Sequence, residues 1–251
     1  MPAPVEGYEP GGSISSGAFV PTAEEELVVV AVDDATRISA LLLVPAKARA
    51  CYVLAHGAGA GMTHPFMAAV ARELAERGVA TLRYQFPYME KGSKRPDPPK
   101  LAHATVRAAV AESARRLPQL PLIAGGKSFG GRMTSQAQAI TPLSEVRGLA
   151  FLGFPLHPAN RPSSERGKHL FDVDVPMLFL QGTRDALANL EHLKPLCESL
   201  GARATLMLLQ DADHSFHVPA RSGRTDPQVR SDVLDALVAW IDGIIPSSTT
   251  R

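Results

Sequence analysis

The sequence predicts an α/β fold, a mostly parallel, twisted sheet covered by helices on both faces. Three observations predict it. Short runs rich in Val, Ile, Leu and Ala alternate with segments of helical period from Ala50 to the C-terminal region. An initial hairpin precedes that alternation, and the combination implies a mostly parallel sheet covered on both faces. Reactive side chains recur where the runs end, which is where such sheets bind ligands. With 251 residues and 45% hydrophobic content, the chain can bury one sizeable core.

Residues 1–22, rich in Pro, Gly and Ser, are expected to form a flexible N-terminal arm, with the α/β domain over residues 23–246. Met1–Pro21 lacks a basic start followed by an apolar core, so it does not read as a signal peptide. Leu27–Val32 and Arg37–Val44 read as strands joined by the turn Asp33-Asp34-Ala35-Thr36. Ala50–Ala55 is a strand that ends at His56-Gly57. Phe66–Arg77 places Phe66, Val70 and Leu74 at helical spacing and stops at Gly78, after which Val79–Tyr84 is again a strand. Gln85–Lys100 is polar and proline-rich, and reads as a long loop. A helix over Ala102–Leu117 ends before Pro118.

Next come a strand over Leu122–Ala124, a glycine turn and a helix over Arg132–Ala139. Arg147–Phe154 and Pro176–Gln181 are strands. The polar connection between them, Pro155–Val175, has room for a short helix and for no real lid. Asn189–Leu200 is a helix closed by Gly201, Ala204–Gln210 the last strand, and Val229–Ile245 an amphipathic closing helix.

Several classes of function drop out. A formal net charge of +1 and the absence of a dense basic run with interleaved aromatics argue against nucleic acid. No apolar run approaches the ~18 residues that span a bilayer, so no membrane is expected. Cys51 and Cys197 are far apart, and Cys51 lies in an apolar strand as a small core residue, which predicts a reduced, cytoplasmic protein. No pair of histidines has metal-ligand spacing, so neither metal nor cofactor is expected.

The chemistry concentrates at Gly126-Lys127-Ser128-Phe129-Gly130. Small residues around a serine on a sharp strand-to-helix turn let neighbouring backbone approach and aim Oγ outward, the nucleophile-elbow pattern. Gly126-Lys127-Ser128 also resembles the end of a phosphate-binding loop, but the first glycine of that motif would fall at Pro121, inside a strand. The plainer alternative is a glycine-rich turn whose serine caps the next helix.

A nucleophilic serine needs a base and an acid that orients the base. Asp185 follows the strand Pro176–Gln181, and His214 follows the last strand, in the chain order serine, acid, histidine. The reading is Ser128 as nucleophile, His214 as general base and acid, and Asp185 as the orienting acid. Asp211 and Asp213 are rivals for the acid, but neighbours of His214 in a tight turn rarely point its way. His217 is a rival base, further from the strand end and expected to be exposed. His64, His103, His157, His169 and His192 are expected to be solvated, and His56 to be a hydrogen-bonding residue at a strand end. The oxyanion donors are expected to be the backbone N–H groups of Phe129 and Ala58, with Gly59 as the alternative to Ala58.

With these pieces in order, the chain from about residue 27 onward resembles the α/β-hydrolases. His56-Gly57-Ala58-Gly59-Ala60-Gly61, Phe86-Pro87-Tyr88-Met89-Glu90, Gly125-Gly126-Lys127-Ser128-Phe129-Gly130-Gly131 and Asp213-His214-Ser215-Phe216 resemble, more particularly, the small dienelactone-hydrolase-like proteins related to testis-expressed protein 30. True dienelactone hydrolases use a cysteine where Ser128 stands. The resemblance implies an α/β-hydrolase fold and a serine esterase of the carboxylesterase type that works on small acyl esters. Some members of the narrower group serve as subunits of chromatin complexes, so a non-catalytic scaffold that binds protein partners is the alternative from another class. A thioesterase or C–C hydrolase on the same residues is the alternative within enzymes. The expected partner is a small-molecule ester, and a homodimer is compatible with the sequence. Lys91-Gly92-Ser93-Lys94-Arg95 could meet an acidic group of a substrate, although such runs are more often solvated surface.

Overall fold

The structure is a computed structural model that describes residues 24–245. The arm expected over residues 1–22 lies outside them. Among the described residues the strands are β1 (Glu25–Ala31), β2 (Arg37–Leu43), β3 (Ala50–Ala55), β4 (Val79–Tyr84), β5 (Leu122–Lys127), β6 (Val146–Leu152), β7 (Met177–Gly182) and β8 (Ala204–Leu209). The helices are α1 (Pro65–Glu76), α2 (Pro87–Glu90), α3 (Pro99–Arg116), α4 (Phe129–Ile140), α5 (Leu190–Leu200) and α6 (Asp226–Ile244).

All eight strands form one sheet in the order β1-β2-β4-β3-β5-β6-β7-β8. β2 alone runs against the rest, because the turn after β1 reverses the chain there. The Asp33 carboxylate shapes that turn by accepting the Ala35 and Thr36 N–H groups at 2.9 and 2.7 Å. The mostly parallel sheet with helices on both faces is the expected class.

Two cores follow from the pleat, which sends successive side chains to opposite faces. Cys51, Val53 and Ala55 of β3 face α3, α4 and α5, where Val106, Val110, Met133 and Leu193 pack with Phe151, Phe154 and Phe179. Tyr52 and Leu54 face the other way, against Met67, Val70 and Leu74 of α1 and Val233, Leu237 and Ile241 of α6. The two cysteines are buried and unbridged, and burial pushes both thiols up to about 12.

The strand order also locates the site. From β3 the chain goes outward to β4 and then returns across β3 to β5, so the connections leave β3 and β5 on opposite faces. A crevice opens at the carboxyl ends of strands where such a reversal occurs. His56-Gly57 follows β3 and Ser128 follows β5, so both border it.

One expectation needs correction and another is met. The loop over Gln85–Lys100 contains the one-turn helix α2, which Pro87 begins and Phe86 anchors by burial. The connection from β6 to β7 carries a 3-10 helix over Glu165–Asp172, whose Gly167 and Leu170 are buried. It makes no lid.

Candidate active site

The elbow is built by close approach of backbones. A Cβ on Gly126, whose φ is +147°, would lie 2.2 Å from the Ala55 carbonyl oxygen, and one on Gly130 would lie 2.6 Å from both the Ala55 side chain and the His56 carbonyl. With those side chains absent, the start of α4 drops onto the end of β3. Ser128 takes up the turn with φ +50° and ψ −116°, a strained conformation for any residue but glycine. Its Oγ caps no N–H of α4, so the plainer capping alternative does not describe this serine.

Oγ instead lies 2.8 Å from Nε2 of His214, and the His214 Nδ1 lies 2.6 Å from Oδ2 of Asp185. Residues far apart in the chain thus form one hydrogen-bonded row, in the order the sequence predicts. Asp185 is supported from two further directions. The Leu187 N–H donates to its Oδ1 at 2.7 Å, and the Gln181 side-chain amide donates to Oδ2. Its carboxylate is fully covered, so the imidazole Nδ1–H has an acceptor that water does not reach. That arrangement selects the tautomer with a free lone pair on Nε2, aimed at the serine hydroxyl.

The rival residues have other work. Oδ1 of Asp213 accepts the N–H groups of Ser215 and His217 at 2.7 and 3.0 Å, which shapes the turn that carries His214. The Asp211 N–H is held by the Thr183 hydroxyl at 2.9 Å. His217 is exposed and pairs with Asp226 at 2.9 Å, which raises its pKa.

His56 is a strand-end hydrogen-bonder. Nδ1 donates to the Gly57 carbonyl at 2.7 Å and Nε2 accepts the Phe86 N–H at 3.1 Å. Burial lowers its pKa to about 4, so it stays neutral and fixes the loop after β3.

The expectation that the remaining histidines are solvated fails for two of them and in part for His103, which is half-buried with Nε2 3.2 Å from the Gln136 Oε1. His157 is buried between the Pro158 carbonyl and the Asn189 N–H, both at 2.8 Å. His169 sits 2.8 Å from the Ser135 hydroxyl, with its pKa lowered to about 4 by burial and by the nearby Arg132. Neither burial was readable from the sequence, because both come from the folding back of Pro155–Val175 onto α4 and α5.

Of the two expected oxyanion donors, Ala58 is exposed and Phe129 opens α4. Among the described residues no hydrogen bond uses either N–H, so both remain available to an incoming oxygen. The alternative donor, the Gly59 N–H, is occupied by the Tyr88 hydroxyl at 3.1 Å. Tyr88 is not legible in the sequence as a site residue, because a one-turn helix leaves no periodic signal. It packs edge-on against Phe129 and borders a hollow of about 540 Å³ with Lys91, Ser93, Arg95 and Asp97. A larger hollow, about 950 Å³, lies at the opposite end of the sheet among Arg49, Leu117, Glu145 and Asp242, away from this chemistry.

Gln181 and Lys127 were also missed as site residues. Gln181 is a lone amide ending an apolar strand, which is a readable signal. Among the described residues no cluster of three or more His, Cys, Asp or Glu could hold a metal ion, and no helix is long and apolar enough to cross a membrane.

Comparison with known proteins gives the same fold. Residues 48–242 match the family described as alpha/beta hydrolase domain. Among solved structures the chain is similar to a dienelactone hydrolase from Anabaena variabilis, with TM-score 0.72 and 20% identity over 90% of this chain and 100% of that one. It is also similar to a serine hydrolase without a lid from Xanthomonas campestris, with TM-score 0.67 and 20% identity over 86% of this chain and 95% of the other. A third, an esterase domain from Rhodothermus marinus, has TM-score 0.65 and 18% identity over 86% and 97%.

Proposed function

The chain belongs to the α/β-hydrolase family, and we propose that within it the protein is a serine esterase of the carboxylesterase type, acting on small acyl esters. The observation that carries this reading is the continuous row from Ser128 Oγ through the His214 ring to Asp185, at 2.8 and 2.6 Å. In the proposed reaction Oγ attacks the ester carbonyl carbon while its proton passes to Nε2 of His214. The oxygen that gains charge accepts the N–H groups of Ala58 and Phe129, at the positive end of α4. Collapse breaks the bond to the alkoxy oxygen, which leaves as an alcohol with the proton from His214. Water, deprotonated by the same nitrogen, then hydrolyses the acyl-enzyme, and Asp185 steadies the imidazolium in both halves.

The absence of a lid among the described residues suits small or flexible acyl groups. The motifs at His56–Gly61, Phe86–Glu90 and Gly125–Gly131 support a place near the testis-expressed protein 30 group. Ser128 in place of a cysteine separates the chain from true dienelactone hydrolases in chemistry. An undisplaced His214 weighs against a scaffold without turnover.

Labelling with a fluorophosphonate probe tests the reading. Native protein should label, and Ser128→Ala and His214→Ala should each lose labelling together with several orders of magnitude in kcat on a p-nitrophenyl ester series. Folded native protein that neither labels nor turns over any ester of the series would overturn it in favour of the scaffold.

A further inference from the structure

Lys127 stands immediately before Ser128, and its side chain reaches from the end of β3 to the loop that carries His214. Its Cγ lies 3.5 Å from where a Cβ on Gly57 would be, beside the end of β3. Its Nζ lies 2.9 Å from the corresponding point on Gly153, just past β6, and that point is in turn 3.4 Å from Nδ1 of His214. The ammonium donates to the main-chain carbonyl of His214 and sits 5.1 Å from the centre of the Phe216 ring. One side chain therefore links the ends of β3 and β6 to the loop after β8, which bears the histidine. Gly153 leaves the room that the ammonium occupies.

We propose that Lys127 is a positioning residue, whose ammonium holds the His214 loop over the serine next to it in the chain. The proposal rests on the hydrolase reading above. The loop from Gln210 to Pro219 contains no regular strand or helix; the Arg184 N–H and the Thr183 hydroxyl tie its start, at Ala212 and Asp211, to the end of β7, and neither bond reaches the elbow. Asp213 shapes the loop internally, but those bonds do not tie it to the elbow. The bond from Lys127 does, and it makes the residue before the nucleophile a gauge of the distance between nucleophile and base. A misplacement of ~1 Å in such a pair costs about 100-fold in rate.

A charge held here is costly, since burial penalises the ammonium; the bond to the carbonyl and the face of Phe216 offset part of that cost. Burial lowers the amine pKa to about 8, against the pull of Asp185 and Asp213, the two acidic groups that face it. Above about pH 8 the neutral amine keeps only an ordinary hydrogen bond to the carbonyl, roughly half as strong as the charged one. The latch then loosens.

The experiment follows p-nitrophenyl acetate hydrolysis and fluorophosphonate labelling rates across the neutral to alkaline range for native protein, Lys127→Met and Lys127→Arg. Lys127→Met is expected to lower kcat by about 10- to 100-fold with KM within about twofold. It should also lack the decline above about pH 8 that is expected of native protein. Lys127→Arg, which keeps a charge that does not titrate in this range, should recover part of kcat and carry the decline to higher pH. A Lys127→Met protein with native kcat, or a Lys127→Arg protein whose alkaline decline stays where the native one is, would overturn the proposal. Native protein inactive in both assays would overturn the parent hydrolase reading and this inference with it. Native activity with unaltered variants sinks the inference alone.

Discussion

Asp185 is held for His214 by a third side chain, Gln181, as well as by the Leu187 N–H. Gln181 donates its amide N–H to the Asp185 carboxylate while its carbonyl accepts the Phe154 N–H at 2.9 Å, all in a fully buried setting. Gln181→Ala removes both bonds and leaves a buried N–H without a partner. We expect a loss of ~1–3 kcal/mol in urea unfolding, the usual cost of an orphaned buried group. In kinetics we expect a fall in kcat of about tenfold with little change in KM, because the acid would orient the histidine less firmly. A kcat that stays native would show that Leu187 and the histidine suffice to hold the carboxylate. Gln181 was legible in the sequence only as an oddity, a polar residue closing Leu178-Phe179-Leu180. What it touches depends on β6 lying beside β7, a fact of sheet order.

Among the elements, α4 is the most tightly constrained. Its first turn lies against the end of β3, with no room for a Cβ at Gly130. Gly130→Ala should therefore destabilise the fold by ~1–3 kcal/mol, as overpacking does, even though alanine favours helix. Because any shift moves Ser128, labelling by fluorophosphonate should slow in the same variant. An unchanged denaturant midpoint would mean that the helix can slide away freely. At the far end of the chain, α6 begins with a capping box in which Thr225 and Gln228 satisfy each other's backbone. Thr225→Ala is expected to cost ~1 kcal/mol in thermal or urea unfolding and to leave kcat untouched, since α6 lies across the sheet from α4. The extent of most elements was readable, because apolar runs and helical period are local signals. α2 was not, being a single turn set by Pro87 and by burial of Phe86 and Tyr88.

At the scale of the molecule, pH acts through histidines the fold has buried. Burial holds His56 and His169 near pKa 4, against an ordinary 6.5. Between those values the unfolded chain binds protons that the folded chain does not. Their contribution to stability is thus complete above pH 6.5 and is lost as pH falls towards about 4, at up to ~1.4 kcal/mol per pH unit for each. His217, paired with Asp226, shifts in the opposite direction, but it is exposed and screened. Urea midpoints should drop from neutral pH to about pH 5, and His169→Gln should remove roughly half of that slope. A midpoint flat across this range would show that both rings reach water.

By itself the sequence determined the alternation of strands and helices and the kinds of chemistry at each strand end. Both follow from residues near one another in the chain: apolar runs, helical spacing, glycines around Ser128. The tertiary structure decided what meets across distance. The return of the chain across β3 to β5 set the oxyanion loop against the elbow, and the packing of the β8 loop brought His214 to Ser128. The same long-range closure turned Lys127 from a residue in a motif into a strut, and made buried partners of histidines that look solvated in the sequence. Such pairings cost loop-closure entropy that only the whole core repays, so no local stretch of sequence encodes them.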